Sequence, residues 1–279
     1  MSRLVVQGAE LTNTQISEFC TLVGNPSNLR NPSLAIWRGV KLNGSQITPL
    51  ADRLGVDAEI VPDKDSLTNY RLIVFDMDST LITVECIDEI ADFAGKKKEV
   101  AAITEAAMRG ELDFIAALNQ RLALLEGLDE CILQTVYDER VRCSPGAQTL
   151  IAHAHQAGLQ SLIVSGGFTW FTERLAKKLN MHHHRANKLE IVNNKLTGRT
   201  EGAVIDAQKK QDTVLQTCSL IGCTPEQTIV IGDGANDLRM MAIAGISVAY
   251  HAKPIVRSET KHAVNHCGLD SILNYFSDV

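Results

Sequence analysis

The sequence lacks several features that mark special classes of protein. No run approaches the ~20 consecutive apolar residues that a membrane-spanning helix needs. The first residues, MSRLVVQGAELTN, lack the basic-then-apolar order of a secretory signal peptide. The seven cysteines are scattered and form no Cys-x-x-Cys pair, a pattern typical of reduced thiols in a protein core. These absences predict a cytoplasmic protein.

An excess of positive charge is also absent. Lys and Arg total 27 against 33 Asp and Glu, so the formal charge is 27 − 33 = −6. This balance gives no electrostatic basis for nonspecific nucleic-acid binding. It does not exclude an anionic substrate, because a local lysine or metal ion can override the global charge. With 45% hydrophobic and 22% charged residues, the chain as a whole is neither disordered nor collagen-like.

The chain of 279 residues divides into two regions of different pattern. Residues 1–69 predict a small N-terminal accessory domain of the α+β class, for which an ACT-like domain is one candidate. Residues 70–279 alternate between strand and helix patterns, which predicts a parallel sheet with helices on both faces. Short apolar runs predict its strands at residues 72–75, 161–164, 228–231 and 246–249, and helical patterns lie at residues 145–157, 168–179, 208–220 and 236–244.

Two segments depart from this alternation. About residues 86–142 carry helical patterns alone, which predicts an all-helical cap inserted after the first strand of the sheet. Residues 189–192 and 195–200 flank Asn193-Asn194, the pattern of a β-hairpin with a tight turn. The predicted fold class is therefore α/β, with a Rossmann-like core, a helical cap and a small α+β leader.

Polar residues follow three of the predicted parallel strands. Asp76, Asp78 and Thr80 follow the first strand, Ser165-Gly166-Gly167 the second, and Asp233-Gly234-Ala235-Asn236-Asp237 the third. Lys209-Lys210 begins the helix before that third strand. Because ligands of open α/β sheets bind beyond the carboxyl ends of the strands, these groups are expected to converge on one rim.

The residue types in this set suit metal-assisted phosphoryl transfer. Carboxylates such as those of Asp76, Asp78 and Asp233 are hard oxygen ligands that favour Mg²⁺ over zinc. A carboxylate beside a cation can attack phosphorus, and a second one can act as general acid and base. Ser165 with two glycine amides can hold phosphate oxygens, and a lysine can neutralise phosphate charge.

Each of these motifs alone has a simpler structural explanation. An Asp-x-Asp after a strand is commonly a turn or a helix N-cap, and Ser-Gly-Gly and Gly-Asp-Gly are common in turns. Their joint occurrence at successive strand ends favours the catalytic interpretation.

The same residues resemble the haloacid dehalogenase-like phosphatases, and most closely the bacterial phosphoserine phosphatases among them. The resemblance covers about residues 70–275. It rests on four motifs: Asp76-x-Asp78-x-Thr80, Ser165, Lys210 and Gly232-Asp233-Gly234-x-Asn236-Asp237. It extends to the segments at residues 85–91, 107–114, 165–169, 186–191 and 250–254.

The resemblance implies a role for each matched residue. It implies that Asp76 is the nucleophile and a Mg²⁺ ligand, and that Asp78 is the general acid and base with its main-chain carbonyl on the metal. Asp233 would be the third protein ligand. The remaining roles are phosphate binding by Ser165, Gly166, Lys210 and Asn236; substrate recognition by Glu85 and Arg121; and support by Thr80, Met108, Phe114, Gly167 and Asp237.

Some positions have alternatives. Arg121 lies on one helix face with Phe114 and Leu118, so it either binds a substrate carboxylate or pairs with a glutamate of the cap. Glu85 by itself is as typical of an N-cap or a solvated carboxylate. Lys209 and Lys210 compete for the phosphate-binding lysine, and alignment favours Lys210. The run at residues 182–184 is His-His-His, but contiguous residues of a strand point to alternate faces and cannot easily share one metal ion.

The resulting prediction is a Mg²⁺-dependent phosphatase that acts on the small molecule O-phospho-L-serine, binds neither nucleic acid nor membrane, and forms a homodimer. One alternative is a phosphatase or phosphotransferase for another small phosphomonoester. Another is a non-catalytic regulator that senses an amino acid through residues 1–69.

Overall fold

The computed structural model describes residues 1–108 and 111–279, without the side chains of Arg30, Asn31 and Met108. The described residues form one four-stranded sheet and one seven-stranded sheet. None of their helices is both long and apolar enough to cross a bilayer.

The seven-stranded sheet forms the core of residues 70–279. Its order is β11-β10-β9-β5-β6-β7-β8, and every neighbouring pair is parallel except β7 and β8. The strands are β5 (Leu72–Phe75), β6 (Gln160–Phe168), β7 (His183–Val192), β8 (Lys195–Glu201), β9 (Thr228–Gly232), β10 (Ile246–Tyr250) and β11 (His262–Val264).

Helices cover both faces of this sheet. Side chains alternate along each strand, so Ile73 and Phe75 pack into one apolar cluster while Leu72 and Val74 pack into another. The covering helices are α7 (Ala147–Gln156), α8 (Thr169–Leu179), α9 (Ala207–Ile221), α10 (Leu238–Ala242) and α11 (Pro254–Glu259). The predicted α/β class with a parallel-sheet core is confirmed.

The all-helical segment follows β5 as the sequence pattern predicts. It contains α3 (Cys86–Phe93), α4 (Lys97–Met108), α5 (Phe114–Ala123) and α6 (Cys131–Glu139). The chain leaves and re-enters the core at one place, because Thr83 donates its amide to the carbonyl of Arg142 and Ile82 bridges to Cys143. This closed insertion makes the segment a cap.

The hairpin at residues 189–200 is confirmed as β7 and β8, and it supports the cap. Asn193 and Asn194 have φ angles of 52° and 60°, the left-handed pair that a two-residue hairpin turn needs. Gly198 of β8 approaches the backbone of α5 so closely that a methyl group there would lie 3.1 Å from Ala123.

The leader is a four-stranded antiparallel sheet with two helices. Its order is β2-β3-β1-β4, and its chain order β-α-β-β-α-β is that of a ferredoxin-like unit. The elements are β1 (Ser2–Gln7), α1 (Asn13–Val23), β2 (Asn28–Asn31), β3 (Leu34–Val40), α2 (Gly44–Leu54) and β4 (Asp57–Pro62). One face packs Leu4, Val6 and Trp37 against the two helices.

The other face of the leader packs against the core formed by residues 70–279. Val5, Ile36 and Val61 share an apolar cluster with Tyr70 and Tyr275. The leader and the core therefore bury a common apolar layer.

Candidate active site

The turn after β5 carries the two aspartates of the first motif. Asp76 precedes a tight turn at Met77–Leu81, in which Asp78 and Ser79 have non-helical backbone angles, and its Oδ1 accepts the Met77 amide at 2.7 Å. Ser79 in this turn has a φ of 56°, a left-handed conformation that a non-glycine residue adopts at a cost of roughly 1–3 kcal/mol. Oδ1 of Asp78 accepts the Cys86 amide at 3.0 Å. The turn thus fixes both carboxylates beside the first residues of the cap.

Lys210 lies beneath these carboxylates. It is fully buried, and its Nζ is 2.8 Å from Oδ1 of Asp76 and 2.7 Å from Oδ1 of Asp237. Burial alone lowers the pKa of Lys210, but the two carboxylates outweigh it and hold the pKa above its usual value. Lys209 points elsewhere and pairs with Asp212 at the surface. Of the two candidate lysines, Lys210 is the one placed at the aspartates.

The loop after β9 brings Asp233 and Asp237 to the same place. Thr80 donates its hydroxyl to Oδ1 of Asp233 at 2.7 Å, which ties this loop to the β5 turn. Asp237 is fully buried, and its Oδ2 accepts the amides of Asp233 and Gly234. Because its other oxygen accepts from Lys210, both oxygens of Asp237 already have donors. Asp237 therefore shapes the loop that carries Asp233.

The carboxylates lie close enough together to hold a cation. One oxygen each of Asp76, Asp233 and Asp237 can be chosen so that all lie within 4.8 Å of one another. Burial and the neighbouring charge of Asp237 raise the pKa of Asp233 to about 7 and raise the pKa of Asp76 well above its usual value. One lysine does not balance this buried negative charge, so the donor set fits a hard divalent cation.

Asp78 has a different environment from Asp76. Burial and the nearby charge of Glu85 raise its pKa to about 7, although the Cys86 amide lowers it. A carboxyl group with this pKa exchanges a proton readily near neutral pH, as a general acid and base must.

The end of β6 supplies uncharged groups of the site, a serine hydroxyl and a glycine without a side chain. The Gly167 amide donates to Oγ of Ser165 at 2.8 Å, so the Ser165 hydroxyl proton is free for another acceptor. A methyl group at Gly167 would lie only 2.4 Å from Oδ2 of Asp78. The absence of a side chain at Gly167 lets β6 approach the aspartate turn.

Asn187 fixes this strand end, a role that the sequence reasoning missed. Its side-chain amide donates to the Gly166 carbonyl at 2.7 Å, and its carbonyl oxygen accepts the Ile205 amide at 2.8 Å. Asn187 is almost fully buried, and this burial is the signal that a single sequence does not display.

A cavity of about 790 Å³ opens above the strand ends and reaches under the cap. The sequence-predicted residues that line it are Asp76, Asp78, Glu85, Phe114, Arg121, Ser165, Gly166, Gly167, Asp233 and Asn236. Thr80, Lys210 and Asp237 are buried and do not line it. Asp88 and Lys253, which the sequence reasoning did not select, line it as well. The side chain of Met108 lies outside the described part of the structure.

Charged groups of opposite sign stand on the cap side of the cavity. Glu85 is the N-cap residue of α3, but its side chain makes no capping hydrogen bond, and its Oε1 accepts the Ser79 hydroxyl at 2.7 Å. Arg121 lies in the last turn of α5, and its buried Nε has no acceptor among the described residues. Among those residues Arg121 forms no ion pair with a cap glutamate.

The histidine run at residues 182–184 lies apart from this cavity. His182 hydrogen-bonds Ser161 at 3.0 Å, His183 contacts Gln160 at 2.7 Å, and His184 contacts Thr172 at 3.1 Å. The three rings therefore have three different partners.

Comparison with known proteins places the chain in a family. A family model for haloacid dehalogenase-like hydrolases matches residues 73–242. The phosphoserine phosphatase of Albidiferax ferrireducens is 51% identical over 215 residues, which are 75% of this chain and 91% of that protein. The phosphoserine phosphatase of Vibrio cholerae is 44% identical over 277 residues, 96% of this chain and 83% of that protein.

The fold shows the same relationship. The crystal structure of a probable phosphoserine phosphatase from Vibrio cholerae superposes with a TM-score of 0.85 and 38% identity, covering 99% of this chain and 86% of that one. The chain therefore belongs to the haloacid dehalogenase-like hydrolase family, within its group of phosphoserine phosphatases.

Proposed function

We propose that the protein hydrolyses O-phospho-L-serine to L-serine and phosphate, the last step of L-serine biosynthesis. One observation carries this proposal: a single cavity is lined both by Asp76 and Asp78 and by Glu85 and Arg121. The first pair suits phosphoryl transfer, and the second suits the ammonium and carboxylate groups of an amino acid.

Asp76 is the proposed nucleophile. Its Oδ1 is occupied by the Met77 amide and Lys210, while Oδ2 has no donor among the described residues. Oδ2 attacks phosphorus, a P–O bond to Asp76 forms, and the P–O bond to the serine oxygen breaks. Asp78 in its protonated form gives its proton to that oxygen, which leaves as the serine hydroxyl.

Asp78 also serves the second step. Its carboxylate takes a proton from a water molecule as the water oxygen attacks phosphorus. The bond between phosphorus and Asp76 breaks, inorganic phosphate leaves, and Asp78 is again protonated. A pKa of about 7 suits both directions of this proton transfer.

Mg²⁺ is the proposed cofactor. Asp76 and Asp233 would hold it through their carboxylates and Asp78 through its main-chain carbonyl, while Asp237 keeps the Asp233 loop in place. When bound, the ion neutralises phosphate charge and orients the phosphoryl group. Support comes from the buried, closely spaced carboxylates. Their combined negative charge is larger than the single positive charge of Lys210.

Phosphate binding is assigned to Ser165, the Gly166 amide, Lys210 and Asn236. The free hydroxyl proton of Ser165 is suited to a phosphate oxygen, whereas the buried ammonium group of Lys210 does not line the cavity and would act through its charge. Lys210 lies directly behind Asp76, so its charge also stabilises negative charge that develops on the transferring group.

The proposal extends to location and assembly. A cytoplasmic location suits the seven cysteines, all of which are unpaired. The homodimer stays a prediction, which sedimentation equilibrium of the purified protein tests.

A panel of phosphomonoesters tests the proposed function. Phosphate release from O-phosphoserine is expected to exceed release from other small phosphomonoesters. EDTA is expected to abolish it, Mg²⁺ to restore it, and Ca²⁺ to support it poorly because of its larger and looser coordination shell. Full activity in metal-free buffer contradicts the metal-dependent mechanism. A strong preference for another ester reopens the question of the substrate.

A further inference from the structure

Asp88 is a carboxylate of the cavity that the proposed mechanism does not use. It lies in the first turn of α3, three residues after Glu85, and both line the cavity together with Arg121. An acidic residue at this position of a helix often reaches back to the N-cap amide. Asp88 does not, because its buried Oδ1 has no hydrogen-bond donor among the described residues. Its carboxylate therefore serves neither the helix end nor another described side chain.

The charge of Arg121 acts on the Asp88 carboxyl group beside the cavity. Burial raises the pKa of Asp88, and the charge of Arg121 acts in the opposite direction. Oδ1 of Asp88 and Nε of Arg121 are both buried without partners among the described residues. Buried polar atoms are seldom left unpaired in folded proteins, so two such atoms beside one cavity indicate a ligand that completes them.

The charges on this side of the cavity do not balance. The charged cavity-lining residues that the described cap segments provide are Glu85, Asp88 and Arg121, a sum of one negative charge. A substrate that carries a carboxylate but no ammonium group would pair with Arg121 but be repelled by the two carboxylates. A substrate that carries an ammonium group as well supplies the positive charge that balances them.

We propose that Asp88 is a specificity-determining residue that selects substrates carrying an ammonium group beside their carboxylate. This inference rests on the proposed function and deepens it. Glu85 accepts the Ser79 hydroxyl through one oxygen, and Asp88 adds a second carboxylate, whose buried Oδ1 has no donor among the described residues.

The test compares two substrates that differ at one group. In 3-phosphoglycerate, a hydroxyl takes the place of the ammonium group of phosphoserine. With the full-length protein and Mg²⁺, Asp88→Asn is expected to lower the ratio of kcat/KM for phosphoserine to that for 3-phosphoglycerate by about tenfold or more. The change is expected in KM, with kcat and the activity on p-nitrophenyl phosphate retained.

Glu89→Gln is the matched control. Glu89 is the next residue of α3, and its Oε2 is also buried without a hydrogen-bond donor, although Arg140 lies 3.8 Å from it; Glu89 does not line the cavity. Its variant is expected to keep the wild-type ratio. Asp88→Ala provides a second neutral variant, and thermal unfolding of each protein identifies any variant that fails to fold.

The outcomes separate the inference from the proposed function. An unchanged ratio in the folded Asp88 variants, or the same fall in Glu89→Gln, overturns the role of Asp88 alone. Wild-type protein that cleaves p-nitrophenyl phosphate without preferring phosphoserine to 3-phosphoglycerate overturns the proposed function, and the inference with it.

Discussion

At the scale of single residues, Asp76 and Asp78 differ in what their oxygens contact. Asp76→Asn is expected to reduce turnover to background with the fold intact, because an amide does not attack phosphorus at a useful rate. Asp78→Asn is expected to reduce kcat by about 10²–10⁴-fold through loss of proton transfer. Steady-state kinetics and thermal unfolding measure both effects. Recovery of a phosphorylated residue other than Asp76 would show that the nucleophile is wrongly assigned.

Arg121 is the proposed contact for the carboxylate of the substrate. Arg121→Ala is expected to raise KM for phosphoserine by about thirtyfold, which corresponds to ~2 kcal/mol for a desolvated carboxylate contact. The KM for p-nitrophenyl phosphate, which has no carboxylate, should stay near its wild-type value. Equal losses on the two substrates would indicate general damage to the cap.

A substitution at Gly167 tests how closely β6 must approach the turn that carries Asp76 and Asp78. An added methyl group would lie 2.4 Å from Oδ2 of Asp78 and 2.8 Å from Cε of Met77. Gly167→Ala is therefore expected to displace Asp78 and lower kcat by about 10²-fold, the effect of roughly 1 Å of misplacement. Gly44→Ala is the control, because a methyl group at Gly44 meets no atom within 4 Å. Wild-type kcat in Gly167→Ala would show that the turn is free to adjust.

At the scale of elements, the histidines at the ends of α7 and β7 make stability depend on pH. Burial and the neighbouring His182 lower the pKa values of His155 and His183. The unfolded chain therefore binds more protons than the folded one as pH falls through the ordinary histidine pKa of about 6.5. The stabilisation that comes from these two histidines is complete above that pH and decreases as the pH falls below it. It is lost once the pH is below their pKa values in the folded protein.

Denaturant unfolding between about pH 7.5 and 5 measures this effect. The free energy of unfolding is expected to fall less steeply with decreasing pH in His155→Gln than in the wild type. The exposed His266→Gln serves as control and should keep the wild-type slope. A His155→Gln slope equal to that of the wild type would contradict the assignment.

At the scale of the whole molecule, β4 of the leader holds a loop of the catalytic core. The buried carboxylate of Asp57 accepts the amides of Asn265, His266 and Cys267 at 2.7–3.2 Å. Glu59, two residues further along the same face of this strand, accepts the amide of Ala263 at 2.8 Å. Removal of the leader would leave these amides unpaired and expose the apolar layer that the two regions share.

Asp57→Asn is expected to lower the free energy of unfolding by about 2 kcal/mol, because charged acceptors form the stronger hydrogen bonds. Asp52→Asn is the control, since Asp52 is exposed and its carboxylate forms, among the described residues, only a 3.6 Å surface pair with Arg257. A protein that begins near Asn69 retains every residue of the proposed site but is expected to be less stable than the full chain. Equal stability of the two lengths would show that the leader contributes nothing to the core.

Much of the fold was predictable because its signals are local. The continuous apolar run at residues 72–75 is what a strand buried on both faces requires, and it became β5. Asn193-Asn194 favours a tight turn through its own residue types, because asparagine tolerates the positive φ angles that such a turn needs. The aspartates, the Ser-Gly-Gly segment and Lys210 were found because each is placed at the end or beginning of such an element.

The parts that sequence analysis missed depend on contacts between distant residues. Asn187 matters because it bridges Gly166 and Ile205, and Asp57 because it meets Cys267, a residue 210 positions away. Asp88 follows the same helical pattern as any solvated acid of a first turn, and only the packing of the cap places it in the cavity. By itself the sequence determined the elements and the chemistry at their ends, because these follow from local periodicity and residue type. The tertiary structure alone decided which polar groups are buried against one another, because burial depends on residues that are far apart in the chain.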